Sequence, residues 1–218
     1  MKETLHSPRV GPALAVFEPA MFEDDSIVEE ALISGTLVGA TTDCMQILGS
    51  RLCDLRITGT HLTKAIFRDC AFERCELSGT VLEEASFHRV EFVDCRLSGA
   101  VFAGSRMKHV RFTDCRLDKA SFRMLQASLV QFSGCHMEDA DFYGAKIISG
   151  QLLKCDLTSA DFSQAKISGT EMHGSILEKV RGGTALRGLV IDGAQMLAVA
   201  TAVFSSLDIS VTDEPTQR

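Results

Sequence analysis

Five cysteines, Cys75, Cys95, Cys115, Cys135 and Cys155, recur at intervals of twenty residues. Thiolates are metal ligands and nucleophiles, so the column invites a chemical reading. A metal, however, needs ligands that converge from different directions. A single column of thiols instead suits small apolar core residues in a reduced interior. Cys44 and Cys53 fall outside it. His88 and His109 are spaced to be neighbours, but beside Arg89 and Lys108 they read as solvated surface rather than a metal pair. Asp141 and Asp161, like Asp94 and Asp114, also stand twenty apart. Paired carboxylates do acid–base work only where a cleft shifts their protonation. There is no phosphate loop, nucleophile elbow or zinc spacing. The expectation is a chain with no catalytic residue, no cofactor and no metal.

The elements that position these residues follow from a period of five. Taking every fifth residue from Leu52 to Leu177, 25 of 26 positions are Leu, Phe, Ile or Met, the exception being Ala127. Two residues before each stands a small residue in 24 of 26 cases; the exceptions are Leu55 and Leu125. Leu125 precedes Ala127, so a large residue and a small one exchange places and the local volume is kept. Neither a helix (3.6) nor an ordinary strand (2) has this period. It marks a coil that points one residue pair inward on each side. The cysteines, the column Phe102, Phe122, Phe142, Phe162 and the column Phe72, Phe92, Phe112, Phe132 all repeat at twenty. Four sides per turn therefore stack like on like, with successive turns about 4.8 Å apart in a parallel ladder. Six turns lie between residues 52 and 177. With a weaker lead-in from Ile27 the rod has seven or eight turns, a length of about 35–40 Å.

Segments such as Ala140-Asp141-Phe142 and Ala160-Asp161-Phe162 resemble the motif of the pentapeptide-repeat family: a small residue, a polar one, Leu or Phe, then two variable positions. The resemblance implies an all-β solenoid, a right-handed quadrilateral parallel β-helix with a short C-terminal α-helix. The four prolines lie outside the repeats, as a backbone ladder requires, and glycines such as Gly59, Gly79 and Gly99 fall where sides turn corners. The chain divides into a cap at 1–26, the coil at 27–191 (strongest at 52–177) and a C-terminal unit at 192–218. Val16, Phe17, Met21 and Phe22 are expected to close the first turn. Leu186–Ile191 reads as a final strand, and Ala194–Leu207 as a helix with Asp192 near its start.

The bulk properties bound the partners. The chain has 218 residues, 45% of them hydrophobic, and a formal net charge of −7. That balance argues against direct nucleic-acid binding of the basic kind. No apolar run is long enough to span a membrane, and the opening MKETLHSPRVGPALAVFEP has no long apolar stretch of the signal-peptide type. The expectation is a cytoplasmic protein with no membrane contact. Family members of the quinolone-resistance and mycobacterial types bind DNA gyrase and mimic duplex DNA, so the resemblance implies a protein partner, DNA gyrase in particular. Duplex DNA would carry about 20 charges along such a rod, whereas residues 31–177 hold 17 acidic and 16 basic residues. The whole rod is a poor mimic. Asp118, Glu138, Asp139, Asp141, Asp156 and Asp161 nevertheless group around one corner, and Arg89, Arg106, Lys108, Lys146 and Lys166 form a basic face two sides round. The corner is the candidate partner-binding stripe, against a reading in which alternating charge merely keeps a scaffold soluble. In the C-terminal helix, Met196, Leu197, Ala200, Val203, Phe204 and Leu207 exceed what a cap needs. Relatives dimerise through this region, and these six residues are the candidate contacts of a homodimer.

Overall fold

In the computed structural model, residues 4–12 and 14–212 are described. They wind into a right-handed quadrilateral parallel β-helix of about seven turns that ends in one short helix. The strands are short because every fifth residue turns a corner. In chain order they are β1 (Ala15–Phe17), β2 (Ile27–Glu29), β3 (Ala31–Val38), β4 (Thr41–Asp43), β5 (Gln46–Leu48), β6 (Arg51–Thr58) and β7 (His61–Thr63). They continue with β8 (Ile66–Glu73), β9 (Ser86–Val93), β10 (Arg106–Thr113), β11 (Gln126–Ser133), β12 (Lys146–Ile148) and β13 (Gln151–Leu153). All pairings are parallel, and from β6 onward partners differ by twenty: Phe72 faces Phe92, Phe92 faces Phe112 and Phe112 faces Phe132.

Two of the four sides carry most of the continuous strand. Each eight-residue strand from β8 to β11 covers both, kinked midway at Asp69, Arg89, His109 and Leu129, whose φ values are 53–56°. The other two sides are built from isolated bridges joined by turns, such as those closed by Thr80 N–H on Leu77 O (3.1 Å) and Ala100 N–H on Leu97 O (3.0 Å). Their third residues, Gly79 and Gly99, have φ of 67°, which is the type II turn. Glycine explains only some corners. Asp94, Asp114, Lys119, Met124 and Asp139 adopt the same left-handed backbone, where L side chains meet a steric cost. The inter-turn ladder holds them there.

Inside, the phenylalanines stack at the turn spacing. Phe72, Phe92, Phe112 and Phe132 have centroids 4.5, 4.6 and 4.7 Å apart with their rings nearly parallel, and Phe102, Phe122, Phe142 and Phe162 repeat this at 5.2, 4.8 and 5.0 Å. The two stacks meet edge to face, as with Phe112 and Phe122 at 81°, so ring faces and ring edges are both used.

The ends differ from the sequence expectation. β1 adds a parallel layer below β3, and Phe22 is buried with Phe17 stacked on it at 5.7 Å. Val16 and Met21, expected in the same cap, are exposed at 75% and 63%; a three-residue strand and a single 3-10 turn leave half of their side chains outward. Below β6 the spacing drops to nineteen (Ile27 with Gln46, Leu32 with Arg51), and a bulge between Ile33 and Gly35 restores twenty. At the far end Leu186–Ile191 is not a strand. Gly182, at φ 81°, opens a 3-10 turn at Gly183–Leu186, and only Val190 bridges back to Glu171.

Candidate interaction surface

The inward small position has a rule that the period alone did not reveal. Cys75 Sγ–H donates to Leu52 O, Cys95 to Phe72 O, Cys115 to Phe92 O and Cys135 to Phe112 O, at 3.2–3.6 Å. The hydroxyls of Thr80, Ser105 and Ser175 donate to Ile57 O, Leu82 O and Leu152 O at 3.3, 2.8 and 2.8 Å. Every one of these acceptors lies 23 residues back, on the large inward residue of the turn below. Cysteine, serine and threonine thus do one structural job. All eight cysteines are free thiols, and the five of the column are buried. Burial pushes the Cys70 thiol up to about 12. Contact with Cys115 and Cys75, together with burial, also holds Cys95 far above the ordinary range. Cys70 and Cys95 are therefore poor nucleophiles. Among the described residues no three His, Cys, Asp or Glu side chains converge as metal ligands.

The histidines correct the surface reading. His109 is only 6% exposed, because residues 4–9 run outside the rod as an arm across successive turns. His6 N–H donates to His109 Nδ1 at 3.3 Å with the rings 4.7 Å apart, and Arg9 N–H donates to Asp69 Oδ1 at 3.0 Å. Leu5 reaches the turn of Leu129 and Ser149. Asp69 is held from the other side by a bidentate pair with Arg89, both bonds 2.6 Å. His88 lies 5.9 Å from His109, and burial, Arg89 and His109 together hold its pKa below the usual value. No period marks the arm, so sequence reasoning placed residues 1–26 only at the first turn.

The six carboxylates of the acidic corner are not bare charge. Asp118, Glu138, Asp139, Asp141, Asp156 and Asp161 fall on three successive turns, with Asp141 stacked on Asp161. Arg116 pairs with Asp118 (3.5 Å), Arg123 with Asp141 (2.8 Å) and Arg181 with Asp161 (3.4 Å). Glu138, Asp139 and Asp156 make no ion pair among the described residues. Asp141, Asp156 and Asp161 each accept the N–H two residues on, from Tyr143, Thr158 and Ser163, at 2.8, 3.0 and 2.8 Å. That local bond is why an Asp precedes the large inward residue. Burial opposes ionisation of Asp161, but hydrogen bonds from Ser163 and the charges of Arg181 and Arg123 outweigh it and hold its pKa low. Asp161 is therefore ionised at neutral pH.

The family model for the pentapeptide repeat region matches residues 52–122, and that for pentapeptide repeats (8 copies) matches 128–164 and 149–178. Together they cover the regular coil with its twenty-residue stacking. The chain belongs to the pentapeptide-repeat family. No curated protein matches it. Among solved structures, this pentapeptide-repeat chain is similar to a trypsin-treated variant of QnrB1, a plasmid-mediated fluoroquinolone resistance protein. Identity is 18%, coverage 87% of this chain and 99% of that one, and the TM-score 0.49. It is also similar to HetL, a pentapeptide repeat protein involved in heterocyst differentiation regulation from the cyanobacterium Nostoc sp. strain PCC 7120. There identity is 16%, coverage 77% and 87%, and the TM-score 0.35.

The second candidate surface of this pentapeptide-repeat protein is its C-terminal helix, α1 (Met196–Ser206). Asp192 starts the approach with a capping box: its carboxylate accepts Ala194 N–H, and Gln195 Oε1 accepts Asp192 N–H, both at 3.0 Å. The buried Gln195 amide then donates to Met172 O and Ser175 O, plugging the last turn. Gly183 lets the helix approach; a Cβ there would lie 2.2 Å from Ala202 O. Only Ala202 of α1 is buried, with Ala198 and Val199 packed on the core. Of the six predicted dimer contacts, Met196, Leu197, Phe204 and Leu207 are exposed, Leu197 at 78%, while Ala200 and Val203 are half-buried. A groove of about 780 Å³ separates α1 from the last turn.

Proposed function

We propose that this protein is a non-catalytic, cytoplasmic interaction protein whose rod docks to a protein partner. The finer reading is a topoisomerase: the acidic corner occupies the basic DNA-binding surface of DNA gyrase and protects the enzyme from gyrase-targeting antibiotics. The observation that supports it is the set of six carboxylates on one corner of three adjacent turns, three of them without an ion-pair partner among the described residues. A carboxylate ladder at a fixed spacing suits a surface that replaces regularly spaced phosphates. Exposed Leu197 and Phe204 on α1 support the accompanying homodimer, which would double the length of the corner.

The pairs Arg116–Asp118, Arg123–Asp141 and Arg181–Asp161 favour a second reading, a scaffold that binds another protein without any role at a topoisomerase. Titration of the purified protein into a gyrase supercoiling reaction, with and without a quinolone, separates the two. Inhibition or protection that is lost in Glu138→Lys/Asp139→Lys/Asp156→Lys supports gyrase. No effect at micromolar concentration removes that reading and leaves the scaffold.

A further inference from the structure

On three of the four sides, cations are matched by carboxylates one turn away. Arg74 pairs with Asp54 at 2.9 Å, Arg96 with Glu76 at 3.8 Å, Arg111 with Glu91 at 2.6 Å and Arg181 with Asp161 at 3.4 Å, each twenty residues apart. The side whose inward residues are Phe67, Phe87, Met107, Ala127, Ile147 and Ile167 breaks this pattern. Its outward positions from Gln46 to Ser168 hold Arg68, Arg106, Lys108, Lys146 and Lys166, plus His88, and not one carboxylate. Lys146 stacks directly on Lys166, an arrangement that like charges disfavour. Arg68, Arg106, Lys146 and Lys166 make no ion pair among the described residues. The flanking corner carboxylate Asp69 is already taken by Arg89. On this side no carboxylate at an outward position one turn away offsets the cations.

The same side is shaped. Ala127 takes an inward position that is large elsewhere, and above it the face holds a groove of about 450 Å³ edged by Arg106, Gln126, Ser128, Lys146 and Ile148. Ile148 is 67% exposed beside the lysines. We propose that this face is a second docking surface, distinct from the acidic corner, for an acidic polypeptide segment. Its carboxylates pair with Arg106, Lys146 and Lys166 while an apolar side chain rests against Ile148. The charge count selects polypeptide over duplex nucleic acid. Arg68 to Lys166 spans about 24 Å at the ladder spacing, along which duplex DNA presents about 14 phosphates; five cations fall short by a factor of about three. An extended peptide places alternate side chains about 6.6 Å apart, within reach of flexible cations one and two turns apart. The net charge of −7 opposes approach from afar, but beyond about 8–10 Å it is screened at physiological salt.

Fluorescence anisotropy with a fluorescein-labelled peptide of glutamates alternating with serine and leucine tests the proposal on the full chain. The wild type is expected to bind saturably and more weakly as salt rises. Lys146→Glu/Lys166→Glu, and separately Arg106→Glu, are expected to weaken binding about tenfold or more. Glu138→Lys/Asp139→Lys, at the acidic corner, is expected to leave it unchanged. Arg106, Lys146 and Lys166 are exposed and make no ion pair among the described residues, so their reversal should preserve the thermal midpoint. The proposal is overturned if the peptide does not bind, if the reversed variants bind it equally, or if a labelled DNA duplex binds this face more tightly than the peptide.

Discussion

Cys75, Cys95, Cys115, Cys135, Thr80, Ser105 and Ser175 make the same hydrogen bond to the large residue of the turn below, so identity at these positions is constrained by volume and by one donor. Cys115, whose thiol donates to Phe92 O at 3.5 Å, should tolerate Cys115→Ser with a change of less than about 1 kcal/mol. Cys115→Leu overfills the site and should cost about 1–3 kcal/mol. Adding Leu117→Ala should recover part of that loss, since it recreates the arrangement of Leu125 and Ala127, both buried. Urea unfolding of the three variants measures this; equal stability of Cys115→Leu and wild type would contradict the packing described. The phenylalanine stacks set a larger scale. Phe112→Ala removes a fully buried ring stacked on both sides and should cost about 3–5 kcal/mol in the same experiment.

The elements at the two ends are held by a few polar groups. Asp192 caps the approach to α1 and also accepts Gly174 N–H at 2.7 Å, so Asp192→Ala should cost about 0.5–2 kcal/mol, read as a lower melting temperature. The N-terminal arm depends on His109 Nδ1 as an acceptor and on ionised Asp69. The groups facing His109 are His6 on the arm, with His88, Arg89 and Lys108 on the coil. Because the folded pKa of His88 is depressed by burial and by Arg89 and His109, the unfolded chain binds its proton first. The stabilisation is complete above the unfolded value of about 6.5 and is lost as pH falls through the folded pKa. The protection factors of the Thr4–Arg9 amides, with the intrinsic pH dependence of exchange divided out, should therefore fall below about pH 6.5, and His88→Asn should flatten that response. Unchanged protection factors across this range would contradict the latch. The coil was legible in the sequence because each turn repeats its neighbour's constraint. The arm and the Leu186–Ile191 segment were not, because each is fixed by one-off contacts: a ring nitrogen and a carboxylate in one case, Gly182 and Gly183 in the other. His109 misled for the same reason, since only the arm buries it. The partial neutralisation of the acidic corner depends on arginine side-chain reach, which spacing does not encode.

At the scale of the whole molecule, the rod is electrostatically two-sided, with an acidic corner opposite a face free of carboxylates, and α1 leaves apolar side chains uncovered at one end. If α1 carries a dimer, Leu197→Glu/Phe204→Glu should convert the species seen by sedimentation equilibrium to monomer without lowering the melting temperature; an unchanged mass would contradict the dimer. The acidic corner and the carboxylate-free face exist only because side chains twenty residues apart lie on adjacent turns. Cys53 and residue 73 offer a direct test, since they are register partners in β6 and β8, with Cys53 Sγ 3.8 Å from Glu73 Oε2. The ladder spacing of about 4.8 Å falls within the Cα separation a disulfide needs. Mild oxidation of Glu73→Cys, followed by peptide mapping, should show an intramolecular disulfide between Cys53 and the introduced thiol in a chain that melts no lower than the wild type. Failure to form that link, or a link to Cys44 in its place, would contradict the stacked coil.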